Sequence, residues 1–158
     1  DFGPLISEVQ KNRVLDYIQI GKEEGADLIT GGESVGEKGH FVQPTIFANV
    51  RGDMRIAKEE IFGPVLCAES FGDDDFKSIA KRANDTNYGL SGSVWSQDIS
   101  TAHKMAMLID AGQVSINCHA AVDPAIPFGG NKQSGWGREF GQEGLDPYLK
   151  TKATTVIF

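Results

Sequence analysis

Cysteine is scarce: the 158 residues hold only Cys67 and Cys118. Two thiols so far apart build no disulfide framework and have no metal-ligand spacing. They fit a reducing, cytoplasmic setting. Histidine is as thin, with His40, His103 and His119 scattered and no His-x-x-x-His, so no metal site is expected. No run approaches the ~20 apolar residues of a membrane helix, and no membrane partner is expected. Positive charge is in deficit, 15 Lys and Arg against 22 Asp and Glu, for a net charge of −7. A polyanion is repelled by that average, which argues against nucleic acid as a partner. The first residues, Asp1-Phe2-Gly3-Pro4-Leu5, lack an initiator Met, a basic n-region and an apolar h-region. The chain is therefore expected to begin inside a longer polypeptide. Repeats and low-complexity tracts are also missing.

The sequence does have enough apolar content for a core, at 40% hydrophobic residues, and a length typical of one domain. Its punctuation is glycine, 19 residues densest over 21–39 and 129–144. Residues 7–24 are predicted helical. Ser7 is the N-cap, Gln10 its capping-box partner, Val14, Tyr17 and Ile18 lie at helical spacing, and Gly25 is the left-handed stop. Residues 28–30 form a candidate strand and 31–39 a polar loop. Residues 41–50 are extended, with Pro44 arguing against a central strand. A strand over 65–71 precedes a helix opened by Asp73-Asp74-Asp75, carboxylates that complement a helix N-terminus. A second strand over 92–96, a helix capped by Asp98 or Ser100 and stopped at Gly112, and a third strand over 113–117 complete the pattern. Strand, helix, strand, helix, strand with short joins predicts a parallel βαβαβ sheet with right-handed crossovers. Ligands collect at the carboxyl ends of such strands, which here run into the long irregular stretch 118–134. The last residues, Thr154-Thr155-Val156-Ile157, are strongly β-forming and need a partner strand from elsewhere.

Several arrangements only imitate chemistry. Cys118 and His119 are adjacent, but neighbours on an extended segment point to opposite faces and do not make a thiolate–imidazole dyad. Gly135-Trp136-Gly137-Arg138-Glu139-Phe140-Gly141 resembles a dinucleotide fingerprint, yet has one residue too many and does not follow a strand. Two segments remain. In Ala57-Lys58-Glu59-Glu60-Ile61-Phe62-Gly63-Pro64-Val65, a carboxylate could take two hydrogen bonds from vicinal ribose hydroxyls and an aromatic could pack on a nicotinamide ring. The bland alternative is an acidic turn with Phe62 in the core. In the segment 126–139, glycines let the backbone turn sharply and approach closely, and the bland alternative is a tight surface loop.

Together these segments resemble the C-terminal part of the NAD(P)-dependent aldehyde dehydrogenase family. The match is carried by Gly3-Pro4-Leu5-Ile6, Phe41-Val42-Gln43-Pro44-Thr45-Ile46-Phe47, Ala57 through Val65, Asn87-Tyr88-Gly89-Leu90, Pro127-Phe128-Gly129-Gly130 and Ser134-Gly135-x-Gly137-Arg138-Glu139. It runs end to end in the family's order. Asp123-Pro124-Ala125, with the residues from Lys132 to Glu139, is most similar to phenylacetaldehyde-type members.

The resemblance implies an α/β fold. It would be the C-terminal half of an aldehyde dehydrogenase catalytic domain, with a βαβαβ parallel-sheet core over 1–147 and an oligomerisation strand over 148–158. It implies oxidation of an aldehyde to the acid with NAD or NADP. A cysteine thiolate forms a thiohemiacetal, hydride leaves to the cofactor, and a Glu-activated water cleaves the thioester. By motif position, Glu60 matches the carboxylate that holds the nicotinamide ribose and Phe62 the aromatic beside the nicotinamide. Phe128 matches the wall of the aldehyde channel. The loop with His119, Ala121 and Asp123 matches the one that shapes substrate choice, and Glu139 matches a carboxylate of a proton relay. The family's nucleophilic Cys, general-base Glu, oxyanion-hole Asn and cofactor domain match nothing here. The chain alone is therefore expected to be inactive, with a small-molecule aldehyde and a homo-oligomer (dimer or tetramer) as partners of the intact enzyme. The alternatives are a non-catalytic oligomerisation module and a small cysteine hydrolase acting through Cys118.

Overall fold

The computed structural model describes residues 2–72, 75–119 and 121–158. The chain divides into two compact units, Asp1–Asp75 and Phe76–Phe158.

The first unit opens with helix α1 (Glu8–Glu23), whose N-cap Ser7 accepts from the Gln10 amide. Gln10 does not return a side-chain bond to the cap, as a capping box would require; its amide group reaches Ile61 and Phe62 instead. Gly25 follows the helix at a φ of 88°. Strand β1 (Asp27–Thr30) precedes two short strands, β2 (Ser34–Val35) and β3 (Phe41–Val42), which pair antiparallel. The expected polar loop over 31–39 thus carries one arm of a small hairpin, too short to leave a periodic signal.

Strand β4 (Thr45–Ala48) is the middle strand of the sheet β1-β4-β5, contrary to the expectation drawn from Pro44. Pro44 stands just outside the strand, so its missing N–H removes no ladder bond. The inward residues of β4 are Phe47, 0% exposed, and Thr45, whose hydroxyl donates to the Gln43 carbonyl and accepts from the Gly32 amide. Short helix α2 (Arg55–Lys58) crosses to β5 (Val65–Cys67), which runs parallel to β4. Around Phe47 pack Val14 and Ile18 of α1, with Val50, Met54, Ile56 and Ile61.

The second unit contains α3 (Phe76–Ala83), β6 (Tyr88–Gly89), β7 (Ser91–Val94), α4 (Ile99–Ala106), β8 (Gln113–Ile116) and β9 (Asn131–Lys132). The carboxylate of Asp98 caps α4 by accepting from the amides of Ser100 and Thr101. The helix ends at Met107, earlier than the predicted stop at Gly112. Gly112 has a different task. A Cβ there would lie 1.6 Å from the Gly129 carbonyl oxygen, so its lack of a side chain permits close backbone packing. Strands β7 and β8 pair in parallel across α4, and β6 pairs antiparallel with β9.

Among the described residues, the expected βαβαβ sheet resolves into two parallel pairs, β4-α2-β5 and β7-α4-β8. Strand β5 is paired upstream, with Thr45 opposite Val65, and the Pro64 carbonyl accepts from the Thr45 amide at 2.8 Å at the start of the ladder. The expected helix start at Asp73 and Asp74 lies outside the described residues. Residues 149–158 form no strand ladder among the described residues.

Candidate active-site residues in each unit

In the first unit one face of α1 clamps the segment 59–63. Gln10 Nε2 donates to the carbonyls of Ile61 (3.2 Å) and Phe62 (3.0 Å), and Arg13 Nη2 donates to the carbonyl of Glu60 (3.1 Å). The Tyr17 hydroxyl donates to the Glu59 carboxylate at 2.6 Å. Positions 10, 13 and 17 fall on one side of a helix, which is why three separated residues meet one short segment. Val14, on the same side, lies beneath Gly63, where a Cβ would come within 2.5 Å of Val14 Cγ2.

Gly63 therefore serves close approach, and the left-handed backbone falls on its neighbour: Phe62 has a φ of 58°. That conformation costs a bulky residue about 1–3 kcal/mol. Two hydrogen bonds from Gln10, each worth about 0.5–1.5 kcal/mol net, are of the size needed to offset it. Ile61 turns into the core while Phe62 is 74% exposed. The bland alternative, with Phe62 in the core, is therefore incorrect: Ile61 takes the core position.

The twin acids differ sharply. Glu59 is held by Arg55, Nε at 3.0 Å and Nη2 at 2.9 Å, and by Tyr17. The Arg55 guanidinium first, then the Tyr17 hydroxyl, hold the Glu59 carboxyl down at about 2. The Arg13 and Arg55 guanidiniums also lie 5.3 and 5.6 Å from the centre of the Tyr17 ring, within cation–π range. The Glu60 side chain is exposed and has no hydrogen-bond partner among the described residues. An exposed carboxylate with free acceptor sites can take hydrogen bonds from a pair of hydroxyls, and an exposed aromatic ring can pack on a flat ring. Glu59, Gln10, Arg13 and Tyr17 were not singled out from sequence as site residues. The i, i+4 spacing of Arg55 and Glu59 was the one local signal available.

In the second unit the structure brings Phe128 and Glu139 together. Each amide donates to the other's carbonyl at 2.7 Å, forming an antiparallel bridge. The Phe128 ring is half-buried, 6.5 Å from the Phe140 ring, and the Glu139 side chain is exposed. Both line a surface concavity of about 420 Å³ with Leu90, Trp136, Arg138 and Pro147. Arg138 staples the enclosing loop: Nη1 donates to the carbonyls of Gly130 and Gly137, and Nη2 to Asn131 Oδ1. Asn131 and Lys132 in turn hold Asp110, in that order of effect, and keep its carboxyl below the ordinary aspartate range.

The other predicted residues of this unit are tied to strands or turns. His119 Nδ1 lies 2.9 Å from Ser93 Oγ on β7. The Ala121 carbonyl accepts from Gln113 Nε2 of β8 at 2.7 Å. Asp123 accepts from the Ala125 amide at 2.8 Å, closing a local turn. Ala120, within this loop, is outside the described residues. Both thiols are free and half-buried, and burial pushes the Cys67 thiol up. Among the described residues no cluster of His, Cys, Asp and Glu could hold a metal, and no helix is long and apolar enough to cross a membrane.

The aldehyde dehydrogenase family model matches residues 1–154. The chain belongs to that family. It is 48% identical over 153 residues to a mitochondrial aldehyde dehydrogenase of Leishmania tarentolae, covering 97% of this chain and 30% of that protein. It is 48% identical over 154 residues to aldehyde dehydrogenase 1A1 of Oryctolagus cuniculus, covering 98% of this chain and 31% of that protein. A solved NAD+ complex of an aldehyde dehydrogenase from Bacillus cereus matches with a TM-score of 0.89 and 49% identity, over 95% of this chain and 30% of that one. The chain spans just under a third of the length of these relatives. The mixed α/β architecture described above is therefore the family's own.

Proposed function

We propose that this chain supplies cofactor-facing and substrate-facing residues of an enzyme that oxidises an aldehyde to a carboxylic acid with NAD or NADP. One observation carries the reading. Of two adjacent acids, Glu59 is consumed by Arg55 and Tyr17, whereas Glu60 is exposed with no partner among the described residues, two positions before a Phe62 ring that is 74% exposed. The bound cofactor would supply the hydride acceptor. Glu60 accepts hydrogen bonds from the ribose hydroxyls, and Phe62 packs on the nicotinamide end.

In the second unit Phe128 walls the aldehyde channel. The loop with His119, Ala121 and Asp123 shapes substrate choice, and Glu139 passes a proton to or from solvent. The phenylacetaldehyde-type motif around 123–139 suggests an aromatic aldehyde. The proposal places the chain in the C-terminal part of the enzyme, with 1–147 as catalytic domain and 148–158 as an oligomerisation strand, in a reducing cytoplasm. The nucleophilic cysteine and general-base glutamate match no position here, so the chain by itself is proposed to be inactive.

The test is Glu60→Gln in the full-length enzyme. Loss of charge-assisted bonds, each worth about 1.5–3 kcal/mol, should raise the NAD+ half-saturation and slow hydride transfer at least tenfold. Unchanged kinetics with either dinucleotide would end the reading.

A second reading, an assembly module, is favoured by the apolar side chains at the end of the chain: Tyr148, Leu149, Val156, Ile157 and Phe158 are all exposed. Surface of this kind marks an interaction site. Removing residues 148–158 should then lower the oligomeric state seen by light scattering.

A further inference from the structure

We propose that Gln10 is the positioning residue that fixes how Glu60 and Phe62 are presented, by holding the carbonyls of Ile61 and Phe62 on one side of the chain. The proposal rests on the cofactor reading of those two side chains given above.

One nitrogen, Gln10 Nε2, donates to two consecutive carbonyls, those of Ile61 and Phe62. Consecutive carbonyls point the same way only where the residue between them has helical dihedrals; in extended backbone they point to opposite sides. Ile61 is anchored in the core, and Gly63 sits against Val14 with no room for a side chain. Between these two fixed neighbours Phe62 takes the left-handed conformation, with a φ of 58°. Arg13 adds a donor to the carbonyl of Glu60, so the backbone on both sides of the buried Ile61 is tied to the same helix. The Gln10 amide does not reach the Glu60 carboxylate or the Phe62 ring in this structure. Its influence on both passes through the backbone.

The test uses Gln10→Glu, nearly equal in size but without the two donor hydrogens, and Gln10→Lys, which restores donors. Backbone order parameters are read by nitrogen relaxation on the 158-residue chain, and NAD+ kinetics on the full-length enzyme. In Gln10→Glu, the Phe62 order parameter should fall from the rigid range near 0.85 to below about 0.6, with α1 and β4 unchanged. The NAD+ half-saturation should rise about fivefold, the factor an ordinary lost hydrogen bond carries. Gln10→Lys should recover both. An unchanged order parameter at Phe62 overturns the proposal and leaves the cofactor reading intact. A lowered order parameter with normal NAD+ kinetics also overturns it; Glu60→Gln then tells which part failed. If Glu60→Gln is impaired, positioning is wrong; if it too is normal, the cofactor reading is wrong.

Discussion

The hydroxyl of Tyr17 donates to the Glu59 carboxylate at 2.6 Å, joining the middle of a helix to the segment that carries Glu60 and Phe62. Tyr17 is 8% exposed and Glu59 is 41% exposed at its side chain, so the bond spans the boundary between core and solvent. Glu59 is the paired member of the acidic twin and Glu60 the free one. That asymmetry separates a structural carboxylate from a candidate ligand-binding one.

Tyr17→Phe keeps the ring under the two guanidiniums and removes only the hydroxyl. The Glu59 carboxyl, held at about 2, should then titrate closer to the ordinary range, though Arg55 still holds it down. Carbon NMR of the carboxyl group reads this directly. The stability loss should be about 1 kcal/mol, below the range of roughly 1.5–3 kcal/mol for a hydrogen bond to a charged group, because Glu59 is partly exposed and water replaces part of the bond. A midpoint for Glu59 identical to that of the parent would show that Arg55 alone sets it.

The depressed Glu59 value also fixes a pH window. A carboxylate whose folded value lies below its unfolded one contributes stability above the unfolded value, and loses it as pH falls through the folded one. The contribution of Glu59 should be complete above pH 4.5 and should disappear on the way down to about pH 2. Urea midpoints of the parent and of Glu59→Gln should therefore converge as the pH is lowered across that window. Curves that stay parallel would exclude Glu59 as the source.

Gly63→Ala places a methyl 2.5 Å from Cγ2 of the fully buried Val14. Overpacking of this kind costs about 1–3 kcal/mol. Val14→Ala makes room, so the double variant should be more stable than the sum of the two single losses predicts. Additive losses in urea unfolding would mean that the segment shifts away from the helix and the close approach is not required.

Much of the fold was legible because its signals are local. Ser7 and Asp98 announce their helices by chemistry confined to three residues, and both caps are formed. The pair β7 and β8 was legible from its glycine punctuation and short apolar runs. Pro44 misled because a one-residue offset separates a forbidden interior proline from a harmless one at the border of β4. The partner of β5 was hidden because pairing is non-local: nothing within residues 65–71 says that the ladder runs to Thr45. In the candidate site, sequence motifs single out Glu60 and Phe62, but nothing in them signals the left-handed turn. The glycine rule would place it at Gly63, and packing against Val14 moves it to Phe62. Nor does sequence say which of two adjacent glutamates is free.

Arg138→Lys tests the stapling of the loop in the second unit. A lysine cannot reproduce the planar fork that serves Gly130, Gly137 and Asn131 together. The amides of Phe128 and Glu139, now bonded to each other's carbonyls, should exchange with solvent roughly tenfold faster. Amides within α4 should exchange as before. Exchange at Phe128 and Glu139 equal to that of the parent would show that the bridge holds without the guanidinium.

The contrast between the twin acids gives the sharpest prediction, because the two variants should fail in opposite ways. Glu59→Gln removes the charge that Arg55 and Tyr17 both hold, so it should lower the unfolding midpoint. Glu60→Gln alters an exposed side chain with no partner among the described residues, so its stability should stay within about 0.5 kcal/mol of the parent. In the full-length enzyme the order reverses if Glu60 meets the ribose. Glu60→Gln should then slow hydride transfer more than Glu59→Gln does, although it is the more stable of the two. Single-turnover rates, measured beside urea midpoints for both variants, decide the matter. A Glu60→Gln enzyme that is both stable and fully active would leave the exposed carboxylate without a ligand, and the reading of Phe62 beside it would lose its support.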